Sequence, residues 1–297
     1  MRLVWLLLPL LACVRTPPAP PLALDSEERM APPAAPAPAS PCAHGGLLPD
    51  ALLAEGSITV LGEVHGTEES PQAVGDVACQ GLLLGRAVVL VLEIPDEETA
   101  RLEAFLAGGS QEALLEGPFW RRDYQDGRSS LAVVRLLERA RRMRASGLPL
   151  SVLAMDVNQT GVDRDTHMAR RVLAARAAAP RSAFVVLVGN LHARPRLSLP
   201  RSMAWRVTQG GAPLTALVLT HGEGSTWLCD IGGRDSCGVH PLRGGDRGLG
   251  PVFTPLDRTS ASGFDGELYL GPPHASPPAV SASRPASSAT PAGPPRP

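Results

Sequence analysis

Lysine is absent from this chain, and arginine supplies all 28 positive charges against 29 acidic side chains. That bias is a mark of GC-rich coding and carries no functional message. With a formal net charge of −1 neither sign is in excess, which excludes a bulk electrostatic partner and nucleic acid with it. Long apolar runs are also missing. The N-terminal block Leu3–Leu11 is too short to span a bilayer, and nothing after it is long enough to cross one. The five cysteines include no C-x-x-C pair, which counts against a structural zinc site. Tyrosine occurs only at Tyr124 and Tyr269.

Proline and glycine are the opposite case, at 31 and 30 residues, with much of the proline near the two ends. In a chain of 297 residues this composition describes one folded core with disordered flanks. Residues 1–12 read as a lipoprotein signal peptide. Arg2 precedes the apolar block, which ends in Leu10-Leu11-Ala12-Cys13, a stretch that resembles the bacterial lipobox. Cys13 is then the lipidation site, and several acyl chains on one residue suffice for stable membrane attachment. The competing reading is an ordinary signal peptide with an incidental cysteine. Residues 13–42 form a Pro/Ala-rich tether, 43–270 the folded domain and 271–297 a disordered Pro/Ala/Ser-rich tail. The expected location is exported, lipid-anchored in the bacterial outer membrane or periplasm. In an exported chain the other cysteines, Cys42, Cys79, Cys229 and Cys237, predict two disulfides. The preferred pairing is Cys42–Cys79 with the local loop Cys229–Cys237.

Apolar runs of strand length fall at Ile58–Leu61, Ala87–Ile94, Leu150–Met155 and Ala183–Val188. Weaker ones fall at Ala216–Leu219, Thr226–Leu228 and, as a last edge strand, Leu268–Leu270. Between them the spacing predicts helices over Leu47–Ala54, Ser70–Leu84, Asp96–Leu106, Ser130–Ala145 and Asp163–Ala179. Gly117–Ser130 is an irregular loop rich in aromatics and arginine. Strand and helix in alternation predict an α/β fold with a largely parallel central sheet flanked by helices. In such sheets ligands bind beyond the carboxyl ends of the strands.

The polar and ionisable residues collect at those ends. Ile58–Ser70 runs into Gly62-Glu63-Val64-His65, and Ala183–Arg194 repeats the design with Gly189-Asn190-Leu191-His192. Glu93 ends the second strand, and Asp156 with Asn158 follows the third. His65 and His192 beside Glu63 suit a divalent metal, Mn, Fe or Zn, whose bound water becomes a nucleophile near neutral pH. Without metal the same set works as a histidine general base oriented by a carboxylate. Glu93 ends a buried strand, so it is either a ligand or paired with an arginine. Arg122 and Arg128 are candidates for contact with an anionic substrate. His167 falls on an exposed helix face, and His221, His240 and His274 in turns or tail, with no role assigned.

Three motifs in order carry a family likeness. They are LGEVHGTEE, Arg164-Asp165-Thr166-His167-Met168-Ala169 and the strand end Gly189-Asn190-Leu191-His192. This order resembles the ChaN/TraB/Tiki superfamily, and the erythromycin esterase-like proteins share a similar one. The resemblance covers about Ser57–Arg194. It implies Glu63, Glu93 and Arg164 as catalytic residues and His65, His192 and Glu63 as metal ligands. Tiki-type members imply metal-dependent proteolysis, ChaN-type members haem binding in iron uptake, and the esterase-like ones ester hydrolysis with a histidine base. The first motif here is Gly-Glu-x-His, not the longer Gly-Glu-x-x-His of the esterases, which counts against macrolide-type esterase activity. Neither tyrosine falls inside a matched motif, which counts against a tyrosine-ligated haem. The leading expectation is a metal-dependent hydrolase cutting a peptide or ester bond in a small-molecule or peptide ligand. The rivals are a haem- or iron-binding lipoprotein without turnover and a scaffold whose site serves folding only.

Overall fold

The computed structural model describes residue 42 and residues 46–159, 161–196, 201–230, 233–257 and 259–280. The signal peptide, Cys13, the tether up to residue 41 and the tail beyond Val280 lie outside the described residues. Among the described residues no helix is long and apolar enough to cross a membrane.

The elements in chain order are β1 (Ile58–Glu63), α1 (Glu69–Leu83), β2 (Val88–Pro95), α2 (Thr99–Leu106), α3 (Gln111–Leu115), α4 (Leu131–Ala145), β3 (Leu150–Asp156) and α5 (Arg164–Ala178). They continue with β4 (Ala183–Gly189), α6 (Asn190–Ala193), α7 (Met203–Gln209), β5 (Leu214–Thr220), β6 (Gly224–Cys229), β7 (Cys237–Leu242), β8 (Val252–Pro255) and β9 (Gly266–Tyr269). One seven-stranded sheet runs β3-β2-β4-β1-β5-β9-β8, and β6 and β7 form a separate hairpin. Every pairing from β3 to β9 is parallel, and only β8 runs antiparallel to its neighbour. The expected α/β architecture with a largely parallel sheet is therefore observed.

Alternation along the strands builds a core on each face. Leu61, Leu90, Leu92 and Leu187 pack with Val74, Val77 and Leu137 from α1 and α4. Val60, Val89, Val91 and Val186 point the other way, onto Met168, Val172 and Val207 from α5 and α7. Each such fully buried aliphatic side chain contributes roughly 1.5–3 kcal/mol. Helix α4 buries Val133, Leu136, Leu137, Ala140 and Met143, the face its spacing predicts, and Ser130 caps it by accepting from the N–H of Val133. Because the helices that follow β1 and β2 cover one face, and those that follow β3 and β4 the other, β1 and β4 are adjacent strands with connections to opposite faces. The crevice of a doubly wound sheet opens at such a point.

Several expectations are corrected. Leu47–Ala54 holds only a 3-10 turn, Asp50–Leu53, too short for the helix expected. The elements α3, α7, β7 and β8 fall where no element is predicted. Strand β9 is not an edge, because it lies between β5 and β8. The described part of the supposed tail, residues 271–280, packs across the domain: Thr67 bridges Ala275 and Ser130 bridges Pro278. Its backbone groups are satisfied by the domain, which is why a proline-rich composition does not leave it loose. Both preferred disulfides are formed, Cys42–Cys79 and Cys229–Cys237.

Candidate functional site

The parallel register sets Glu63 beside Gly189, so the two glycine-histidine motifs meet at the β1–β4 crevice as their sequences suggest. They are not copies of one another. His65 sits in the loop after β1, whereas Asn190–Ala193 turns into the short helix α6. Each glycine makes room for the opposite motif. A Cβ on Gly62 would fall 2.7 Å from that of Ala193, and one on Gly189 would fall 2.8 Å from Nε2 of His65. Gly66, at φ +78°, turns the chain directly after His65, and a side chain there would collide with the backbone of Trp227.

Two carboxylate–imidazole pairs face one another across Glu93. Nδ1 of His65 lies 2.9 Å from Oε1 of Glu63, and Nδ1 of His192 lies 2.8 Å from Oδ1 of Asp165. The opposite ring nitrogens both turn toward Glu93. Nε2 of His65 is 3.6 Å from its Oε2, and Nε2 of His192 is 4.0 Å from its Oε1, too long for direct hydrogen bonds. Asp165 is itself fixed by the N–H of Met203 at 2.5 Å.

Glu93 is the hub. Gly189 N–H donates to its Oε2 at 2.8 Å, while Arg164 and Arg128 donate to its Oε1 at 2.7 and 3.2 Å. The same two guanidiniums bind Asp156, Arg164 at 2.6 Å and Arg128 at 2.9 Å. Arg128 is also held by Asp126. Burial opposes ionisation of Glu93, but His65, Arg128, His192 and Arg164 outweigh it and hold the carboxyl far below the usual range. Burial pushes Glu63 up, consistent with its buried Oε2, which finds no partner. His65 is depressed by burial, yet Glu93 and Glu63 more than compensate and its pKa is raised.

The structure thus brings together Glu63, His65, Glu93, Arg164 and His192, all anticipated, with Asp156 from the third strand end. Asn158 is exposed and lines the cavity beside Arg128, Asp156 and Arg164. Asp165 and Arg128 are the residues missed as partners. Asp165 was legible in the Arg164-Asp165 motif, whereas Arg128 had only one signal, the need of Glu93 for a counter-charge. Arg122 pairs with Asp126, stacks on Phe119 and is lowered to about 10 by burial and by Arg128. His167 is half-buried and bonded to Asp96 at 3.0 Å, not solvated as expected. His221 is buried, with Nε2 3.3 Å from Ser70 Oγ.

The donor set does not fit a divalent ion. Among the described residues no three His, Cys, Asp or Glu side chains converge as metal ligands. Oε1 of Glu63 is engaged with Nδ1 of His65, and two guanidiniums already balance Glu93. Of the two tyrosines, Tyr124 is exposed, and Tyr269 is buried with its hydroxyl accepting from the N–H of Arg247. Over His65 itself the free volume is about 10 Å³, enough for about one water. A cavity of about 160 Å³ adjoins it, lined by Arg122, Arg128, Arg164 and Asp156.

No protein-family model and no curated protein matches the sequence. Solved structures share the fold at low identity. A Bacillus cereus protein superposes at TM-score 0.54 and 11% identity, over 76% of this chain and 90% of its own. A succinoglycan biosynthesis protein gives 0.55 and 8%, over 75% and 89%. The erythromycin esterase EreC, as a histidine-to-asparagine mutant in its open conformation, gives 0.53 and 12%, over 74% and 92%. The chain therefore has the α/β fold of erythromycin esterase.

Proposed function

We propose that this chain is a hydrolase of ester or related acyl bonds that works by histidine acid–base chemistry, without a metal. The observation that supports it is the pair of carboxylate-held imidazoles, Glu63–His65 and Asp165–His192, aimed at one space beside Glu93. Holding Nδ1 fixes each ring and leaves Nε2 for proton transfer. In this reading Nε2 of His65 takes a proton from water, and the oxygen of that water bonds to the substrate carbonyl carbon. The negative charge on the tetrahedral intermediate is met by Arg164, the more exposed guanidinium of the cluster. As the bond to the leaving group breaks, the His65 imidazolium gives that group the proton it took from water and returns to its starting form, with His192 held beside it by Asp165. Glu93 and Asp156 set the two arginines and the orientation of the edge. The fold shared with an esterase is compatible with this chemistry but does not carry it.

We further infer an exported lipoprotein anchored through Cys13, a reading supported by the lipobox-like stretch and by disulfides suited to an oxidising compartment. The test of the hydrolase reading is turnover of a panel of aryl esters and short peptides. Turnover by the wild type should fall about 10²–10⁴-fold in His65→Ala and survive EDTA treatment and dialysis. Equal rates in wild type and His65→Ala would sink it. Loss on chelation, restored by Mn, Fe or Zn, would return the metal-dependent reading.

A further inference from the structure

The carboxyl edge of the sheet continues beyond β1 on the side of β5 and β9, where it opens into a cavity of about 290 Å³. Val64 lines this cavity, and the next residue, His65, belongs to the acid–base cluster. The volume lies at the lower limit of small-ligand pockets, room for one compact molecule or one substituent of a larger one. Val218 and Leu219 give it apolar surface.

Its charges are unequal. Arg243 and Arg247 face it together with Glu267. Glu267 is committed, because Arg247 Nη1 donates to it at 2.6 Å and Thr220 Oγ1 at 2.5 Å. The Arg247 guanidinium also lies over the ring of Tyr269. Arg243, exposed at the rim, has no ion pair or hydrogen bond among the described residues. Two buried atoms of lining residues also lack partners, Oδ1 of Asn190 and Nδ1 of His221. His221 is only 6% exposed, and a buried polar atom left unpaired costs about 1–3 kcal/mol unless a ligand meets it. Burial lowers the pKa of His221, so the ring is neutral near pH 7 and Nδ1 can donate or accept.

We infer that this cavity binds a compact organic oxyanion, a carboxylate or phosphate on a small apolar body, with Arg243 as counter-ion and the Nδ1–H of His221 as its neutral hydrogen-bond donor. Guanidinium is suited to both anions through paired N–H donors. Combined with the hydrolase reading, on which this extension rests, the cavity, lined by the residue that precedes His65 in the chain, holds the anionic part of the substrate.

Binding is tested without turnover, by calorimetric titration of the full-length chain with benzoate, phenyl phosphate and the neutral benzyl alcohol. Both anions should bind saturably and at least tenfold more tightly than the alcohol. Arg243→Gln should weaken anion binding tenfold or more. Gly245→Asp should do the same, because a Cβ on Gly245 meets open space and the new carboxylate repels the anion at the mouth. Equal binding of alcohol and anions, or anion binding indifferent to both substitutions, would overturn the assignment. The ratio of phenyl phosphate to benzoate affinity identifies which oxyanion the site takes. His65→Ala should bind benzoate as the wild type does. If that variant also keeps its turnover, the hydrolase reading fails while the cavity stands on calorimetry alone.

Discussion

A methyl group on Gly189 would stand 2.8 Å from Nε2 of His65, so the second motif's glycine is the floor on which the first motif's histidine rests. Its φ of −58° is open to any residue, which means that Gly189→Ala tests this contact and not backbone strain. The substitution keeps the Gly189 N–H bond to Glu93 and displaces the imidazole. The expected result is a fold weakened by about 1–3 kcal/mol and a kcat lowered at least tenfold, since small misplacements of a base are costly. Wild-type turnover in a folded Gly189→Ala protein would show that the position of His65 does not matter.

The pH profile should reveal the environment of His65. Burial works against its protonation, but Glu93 and Glu63 together raise its pKa above the ordinary imidazole value. A base must be unprotonated, so kcat/KM should climb with pH through a limb displaced above about 6.5. Glu63→Gln removes one of the two carboxylates and should move the limb down. The stability contributed by this histidine runs the other way. It is complete below the unfolded pKa and fades as pH rises through the folded one. A limb at or below the free imidazole value would contradict the geometry.

Glu93 has the opposite sign. Its carboxyl is held far below its unfolded value, so the stability it contributes is present above about pH 4.5 and is lost as pH falls toward the folded pKa. Replacing it by glutamine keeps an acceptor for Gly189 but leaves Arg128 and Arg164 with Asp156 and Asp126 alone. Removing one member of a buried ionic network costs about 3 kcal/mol. Thermal unfolding at pH 7 should show a lower Tm for Glu93→Gln, with the difference shrinking as the pH is lowered. A difference that stays constant from pH 7 to pH 3 would mean that the charge is not the source.

What was readable from sequence followed the range of the forces involved. The buried strands announced themselves by continuous apolar runs such as Val88–Ile94, and each carboxyl end was recognisable by the polar residue that stops it. Glu63, His65, Glu93, Arg164 and His192 could be named because a parallel sheet brings all such ends to one edge. The partners of those residues were harder to name. Arg128 comes from an irregular loop and reaches Glu93 across 35 residues, a pairing that no local period encodes. The metal expectation came from counting donors, whereas the structure distributes the same donors into two imidazole–carboxylate pairs and one arginine-balanced hub. Strand β8 and the segment after Gly271 depend on long-range partners, so their short, proline-containing stretches read as loop and tail.

That last segment supports the final prediction. The loop that carries His65 accepts no regular secondary structure, and its backbone is held from outside. Ser276 N–H donates to the carbonyl of Gly66 at 2.8 Å, and Glu68 N–H donates to that of His274 at 2.9 Å. A few residues on, the same segment meets the start of α4. Leu131 N–H donates to the carbonyl of Pro277 at 2.9 Å and Ala132 N–H to Ser276 Oγ at 2.9 Å, satisfying donors that a helix N-terminus leaves open. Arg128 lies just ahead of that helix. Residues 274–279 therefore tie the segment bearing His65 to the segment bearing the arginine that pairs with Glu93. A chain ending at Leu270 retains both cores and both disulfides, so it should fold with a Tm lowered by several degrees. Its kcat should nevertheless drop at least tenfold, and amide exchange should quicken at residues 65–70 and 128–133 while β1 and β4 stay protected. If the truncated chain turned over at the full rate, those backbone bonds would be packing alone, and the order of the His65 loop would have to come from Trp227 N–H, which donates to the Gly66 carbonyl at 2.9 Å.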